Sequence, residues 1–206
     1  LPFTTLALGT SRVLQLPALV ATINGVEICA LNDVVASGGV TGRIMEVGWR
    51  IVTTGLDGLK RVDDMGVVPC DGMVLATPVG STAYNLSNGG PVIAWGVDGY
   101  VVSFIAPHTL AARPLVVSAL DGVELEHGGR GAALKIFSDG QEVGELGAGD
   151  IINISLDCQN SSLLAVVDDH SFYTRYRDSF AAAASDHVRR PRSTPAPPNS
   201  VRGSQP

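Results

Sequence analysis

Strand-length apolar runs alternating with Asx-Gly turns limit this chain's folds more than any other feature of its sequence. Val20 to Cys29 is two β-rich runs around Asn24-Gly25, and Asp-Gly recurs at 57, 71, 98, 121 and 139. Asx-Gly suits the tight turns of β-hairpins because both central residues of such a turn take positive φ. Between the turns, Met45, Val47, Trp49 and Ile51 alternate with Glu46, Gly48 and Arg50, which is the period of a strand with one covered face. Tyr100–Ile105, Leu115–Ser118, Val123–Glu126, Leu134–Ser138, Val143–Leu146, Ile151–Leu156 and Leu163–Val167 read as further strands. Asp121-Gly122 is expected to turn Leu115–Ser118 into Val123–Glu126, and Asp139-Gly140 to join a hairpin. Short strands at a spacing of roughly ten residues predict a mainly β fold, a β-sandwich.

The run breaks most sharply at residues 71–90. Met73 to Ala76 reads as a strand, Thr77-Pro-Val-Gly80 as a tight turn, and the next residues as a helix of about two turns capped by Ser81 or Thr82. Asn88-Gly89-Gly90-Pro91 should end it, since glycine accepts the left-handed C-terminal conformation and proline forbids continuation. Gly80 has no Cβ to obstruct a close approach, and a helix start leaves backbone N–H groups free, so the corner suits a polar or anionic ligand. Near the C-terminus the period changes. Phe172, Tyr176 and Phe180 share one face of an amphipathic helix capped by Asp169 or Ser171, and this aromatic stripe is expected to pack in the core. Residues 1–12 show little pattern and read as a connector. Residues 13–184 then form the β domain, and residues 185–206, rich in Pro, Ser and Arg, a disordered tail.

A single domain is the default for 206 residues, since a fold of about 150 residues already buries roughly 70% of its unfolded surface. The net charge is −6 with only 14 Lys and Arg, which argues against a nucleic-acid partner. No run approaches the roughly 18 apolar residues of a membrane span. Cys29, Cys70 and Cys158 fit neither a disulfide framework nor a tetrahedral metal site, so they read as buried free thiols of a cytoplasmic protein with no metal centre of its own. Leu1 is not an initiator methionine, and the chain reads as a fragment or a processed product.

Several side chains invite chemistry. Asn32-Asp33, at the end of a β-run, admits two readings. One is a simple turn; the other is an amide and a carboxylate that together bind a vicinal diol. His108 follows Pro107 after a buried strand and reads as structural rather than as a general base. Arg113 either pairs with a carboxylate or caps a loop. Asp139 in Ser138-Asp-Gly-Gln141 reads chiefly as the hairpin turn.

These residues together resemble a known family. Thr77-Pro-Val-Gly-Ser-Thr-Ala-Tyr84, followed by Ser87 and Gly89-Gly90-Pro91, is similar to the Thr-Pro-Thr-Gly-Ser-Thr-Ala-Tyr segment of NAD kinases, with Val79 in place of the usual hydroxyl residue. Ala30–Val35 resembles the family's Asn-Glu block with Asp33 replacing Glu. Pro107-His-Thr-Leu, Arg113-Pro-Leu-Val-Val117 and Ser138-Asp-Gly-Gln141 resemble later blocks in the same order. The family's Gly-Gly-Asp-Gly loop does not occur in this chain.

The resemblance implies the C-terminal, NAD-binding domain of an enzyme that moves a phosphoryl group from ATP or polyphosphate to the 2′-hydroxyl of the adenosine ribose of NAD. By that resemblance Asn32 and Asp33 contact ribose hydroxyls. Thr82, Ala83 and Tyr84 line the adenosine site, Ser87 lies nearby, and Asp71 reaches the nicotinamide end from a neighbouring subunit of a homodimer or homotetramer. ATP and a divalent ion such as Mg2+ would act with an α/β domain carrying the Gly-Gly-Asp-Gly loop. No catalytic residue is then expected in this chain, which alone would be inactive. A catalytically silent NAD-binding or oligomerisation module is the alternative. A related lipid kinase is a weaker third reading, opposed by the Thr-Ala-Tyr segment.

Overall fold

The computed structural model describes residues 5–8, 11–23, 25–38, 45–55, 57–129, 133–166 and 170–189. In chain order the strands are β1 Thr5–Leu8, β2 Ser11–Ile23, β3 Val26–Ala30, β4 Asp33–Gly38, β5 Met45–Thr54, β6 Lys60–Cys70 and β7 Gly72–Ala76. A single 3-10 turn, Gly80–Thr82, and a short helix α1, Tyr84–Ser87, precede β8 Gly99–Ile105, β9 Leu115–Ser118, β10 Gly122–His127, β11 Leu134–Ser138, β12 Gln141–Leu146 and β13 Ile151–Val166. One sheet runs β1-β2-β13-β10-β5-β6 with β3 also paired to β2; the other runs β12-β11-β4-β7-β8-β9. The pairings are antiparallel throughout. The fold is therefore the mainly β sandwich expected from the turn spacing.

The two sheets bury one common core. Leu19, Val47, Trp49, Leu125, Ile152 and Ile154 from the first meet Val34, Met73, Leu75, Tyr100, Phe104 and Ile136 from the second. Trp49 and Phe104 touch edge to face across the interface, ring centroids 5.7 Å apart, the geometry favoured by aromatic quadrupoles. The second sheet is also covered on its outer face, where Val35, Val74, Ala76, Ile93 and Val101 form a smaller cluster. All five residues of β7 are consequently buried, so this central strand is continuously apolar where a strand with one wet face would alternate.

Several expectations need correction. Residues 1–12, read as a connector, include β1 and the start of β2, which pair with each other from Thr5↔Leu14 to Leu8↔Ser11. Lys60–Cys70 was not legible as a strand, yet β6 pairs with β5 along the edge of the first sheet. Its residues from Lys60 to Val67 are exposed, so it lacks the buried alternation by which strands are recognised. Asp121-Gly122 does not close a hairpin: β9 belongs to the second sheet and β10 to the first, so the turn carries the chain between sheets. Ile151–Leu156 and Leu163–Val166 are parts of one strand, β13, whose pairing with β2 is irregular between Asp157 and Ser162, and Val167 lies outside the described residues. Cys70 is buried and its thiol is pushed up to about 11 by burial, but Cys29 is exposed. The side chain of Cys158 lies outside the described residues.

The residues from His170 onward form a second compact unit. Its helix α2 spans Phe172–Arg189, so residues 185–189 of the expected tail are helical, and the remainder of that tail lies outside the described residues. Thr174 N donates to Ser171 Oγ at 3.3 Å, the cap foreseen for this helix. Within this unit the aromatic stripe runs along the helix. Phe172, Tyr176 and Phe180 lie ring on ring, with centroids 6.1 and 4.5 Å apart, and Tyr176 and Phe180 are exposed. Spacing of four residues aligns rings along a helix whether or not anything covers them.

Candidate functional site

The turn after β7 is built by its own side chains. Thr77, fully buried, donates its hydroxyl to Leu31 O at 2.7 Å and accepts from Gly80 N at 3.0 Å. Its backbone N–H donates to Asn32 O at 2.9 Å. Ser81 Oγ donates to Pro78 O at 2.7 Å and accepts from Ile93 N at 2.9 Å, tying the turn to the segment that covers the outer face of the sheet. Asn85 Nδ2 donates to Ser81 O and Pro91 O, both at 3.0 Å. Gly89, at φ +79°, closes α1 in the left-handed conformation as expected.

Two details differ from the sequence reading. Neither Ser81 nor Thr82 is a helix cap. Val79 and Ala83 occupy the cap positions without side-chain bonds, and α1 is one turn long. The N–H groups of Gly80, Ser81, Thr82 and Ala83 donate to Thr77 Oγ1, Thr77 O, Val79 O and Gly80 O respectively, so none is left for an anion. Gly80 does serve a close approach, but to protein: a Cβ there would stand 1.9 Å from Asn32 O.

That approach brings three distant stretches together. A groove of about 390 Å3 on the outer face of the second sheet is lined by Asn32 just before β4, by Asp33, Val35 and Ser37 on β4, by Ala83 and Tyr84, and by Phe137, Asp139 and Gly140. Val35 and Phe137 give it apolar surface; Asn32, Asp33, Asp139 and the half-exposed ring of Tyr84 supply polar groups. The Asp33 residue is only 6% exposed, and burial, then the nearby Asp139, pushes its carboxyl above the usual 3.8. Two carboxylates beside an amide make a set that accepts from hydroxyl or amino groups and repels anions.

Of the seven binding residues expected, Asn32, Asp33, Ala83 and Tyr84 line this groove. Thr82 and Ser87 are exposed nearby in the chain but do not line it, and Thr82 Oγ1 donates to Val79 O at 3.1 Å. Asp71 precedes β7, whereas the turn follows it. The Asp71 carboxylate faces His108 Nε2 at 3.9 Å, and its N–H donates to Ile105 O. The missed residue is Asp139. Its carboxylate accepts N–H bonds from Leu31, Asn32 and Asp33, and the signal that concealed it was the Asp-Gly turn itself, which explains the residue without any site. Among the described residues no group of three or more His, Cys, Asp or Glu is arranged to hold a metal ion. No helix among them is long and apolar enough to cross a membrane.

Known proteins resemble this chain in sequence and in fold. Residues 61–165 match the family model of the ATP-NAD kinase C-terminal domain. An NAD kinase of Syntrophotalea carbinolica is 41% identical over 124 residues, 60% of this chain and 40% of the relative; one of Moorella thermoacetica is 32% identical over 76% of this chain and 47% of its own length. The chain thus spans less than half the length of these curated relatives. Yeast NADH kinase complexed with NADH superimposes with a TM-score of 0.71, at 21% identity over 84% of this chain and 51% of that one. An NAD kinase from Archaeoglobus fulgidus in complex with ATP gives 0.63, at 23% identity over 84% and 61%. At such identities the structures speak for the fold, and it is the sequence match across half the chain that decides kinship: this chain belongs to the ATP-NAD kinase C-terminal domain family.

Proposed function

We propose that this chain is the NAD-binding part of an NAD kinase, and that the whole protein phosphorylates the 2′-hydroxyl of the adenosine ribose of NAD to give NADP. The observation that carries the reading is the groove, where Asn32, Asp33, Ala83 and Tyr84 converge from separate stretches of sequence. Carboxylate and amide side chains suit the ribose diol, and the Tyr84 ring, half exposed at the groove, suits a flat base. In the overall reaction the 2′-oxygen bonds to the γ-phosphorus of ATP, the hydroxyl proton is released, the bond to the bridging oxygen breaks, and ADP leaves. The phosphoryl donor, ATP or polyphosphate, and a divalent ion such as Mg2+ act from the part of the protein that carries the family's Gly-Gly-Asp-Gly loop. This chain's residues bind and orient the acceptor. Asp71, Thr82 and Ser87 belong to the same reading, Asp71 through a second copy in a cytoplasmic homodimer or homotetramer. The nucleotide relatives of the fold, one solved with NADH and one with ATP, support this assignment.

Calorimetric titration of the 206-residue chain with NAD, paired with a kinase assay in ATP and magnesium, tests the proposal. Binding without turnover is expected. Replacing Tyr84 by Ala should weaken NAD by about 1–3 kcal/mol, the loss of one stacked base. Unchanged affinity in that variant would remove Tyr84 from the site. A full-length protein that bound NAD but transferred no phosphoryl group would favour the silent binding module.

A further inference from the structure

The chain leaves the first sheet at Ala30, the end of β3, and enters the second at Asp33, the start of β4. Residues 31 and 32 are the corner between sheets, where no strand ladder is available to hold the backbone. An N–H group in such a corner needs a partner from elsewhere. The partner comes from a hairpin more than a hundred residues away. Asp139 Oδ2 accepts from Leu31 N at 2.8 Å, and Oδ1 accepts from Asn32 N at 2.7 Å and Asp33 N at 3.1 Å. Asp139 N in turn donates to Asp33 O at 3.0 Å. The opposite side of the corner is held by Thr77, through Leu31 O and Asn32 O.

We propose that Asp139 is a positioning residue of the groove: its carboxylate clamps the backbone of residues 31–33 and so aims the Asn32 and Asp33 side chains at the nucleotide ribose. The proposal rests on the NAD-binding reading for its ligand. Two requirements meet in this one residue. The hairpin needs φ near +47° at position 139, with Gly140 at +80°, which Asn, Asp and Gly tolerate. The clamp needs an acceptor on both terminal atoms, which an ionised carboxylate supplies and an amide does not. The turn alone is therefore served at least as well by Asn-Gly, and only the clamp demands Asp.

That difference makes the two roles separable. In Asp139→Asn the turn is kept, but the amide's NH2 must face one or more backbone N–H groups. Amide hydrogen exchange at Leu31, Asn32 and Asp33 should accelerate by about tenfold or more, the equivalent of one hydrogen bond to a charged group. Amides within the β11–β12 ladder should keep their wild-type exchange, and calorimetry should show NAD affinity reduced by a similar factor. Asp139→Gly, which suits the turn and removes the carboxylate, should accelerate the same three amides. Unchanged exchange at residues 31–33 in both variants overturns the clamp, as does full NAD affinity in Asp139→Asn. If the unaltered chain binds no NAD, the nucleotide reading fails on its own, and the exchange rates still decide whether Asp139 holds the corner.

Discussion

Gly80→Ala tests how the groove is assembled. The added Cβ would lie 1.9 Å from Asn32 O, 2.4 Å from its carbonyl carbon and 2.6 Å from its Cα, all backbone atoms that no rotamer change can move. Restoring ordinary contact means separating the 77–82 turn from the corner at residues 31–33 by more than an ångström. The bonds across that seam, Thr77 N to Asn32 O at 2.9 Å and Thr77 Oγ1 to Leu31 O at 2.7 Å, cannot both survive such a shift. Losing two buried hydrogen bonds costs about 1 kcal/mol each, and overpacking adds about 1–3 kcal/mol, so the variant should be destabilised by roughly 3–5 kcal/mol. Urea unfolding followed by tryptophan fluorescence measures this. Gly89→Ala is the control. It carries the left-handed penalty at φ +79° but meets nothing within 4 Å, and should lose only about 1–2 kcal/mol. If Gly80→Ala were no worse than Gly89→Ala, the seam would not be a steric fit and the account of the turn would be wrong.

Asp33 should give stability a pH dependence. Its folded carboxyl sits above the usual 3.8, so the fold binds that proton more tightly than the unfolded chain does. The resulting stabilisation is present below the unfolded value and is lost as pH rises through the folded one. Asp33→Asn should flatten this part of the urea-midpoint profile from pH 3 upward; an unaltered profile would refute the assignment. Thiol chemistry offers a second check. At pH 8, mass spectrometry should find Cys29 alkylated well before Cys70, which is buried with its thiol pushed up to about 11, and equal rates would contradict the burial of Cys70.

The sandwich was legible because its signals are local. Asp139-Gly140 fixes a hairpin from two residues, and the alternation of Met45, Val47 and Trp49 states which face is buried. Strands without such signals were not legible. β6 is an exposed edge whose charges, Lys60, Arg61, Asp63 and Asp64, mask its period. β9 and β10 look like hairpin partners in sequence, but they part into different sheets, a choice set by long-range packing. The site divides the same way. Asn32, Asp33, Ala83 and Tyr84 could be named from motif resemblance, yet their meeting depends on Gly80 fitting against Asn32, a contact no pattern in either stretch announces. Asp139 was hidden for the opposite reason, since its local role as a turn residue is real and gives no hint of the bonds it makes more than a hundred residues away.

Asp71 poses the remaining question of geometry, because it is the one expected binding residue at the other end of β7. Asp71 and Ala76 are separated by a strand of roughly 17 Å at 3.3 Å per residue, and the Asp71 carboxylate faces His108. If Asp71 acts on the nucleotide from a second copy, a dimer with two-fold symmetry combines the groove of one chain with the Asp71 of its partner at each site. Asp71→Ala and Tyr84→Ala should then each weaken NAD as pure proteins. When the two are mixed and allowed to exchange subunits, every mixed dimer holds one doubly altered site and one fully native site. Random exchange makes roughly a quarter of all sites native. Titration of the mixture should recover that fraction with wild-type affinity. Absence of any tight fraction, with exchange verified by mass, would mean that Asp71 serves its own chain's groove, and the two-chain site would have to be given up.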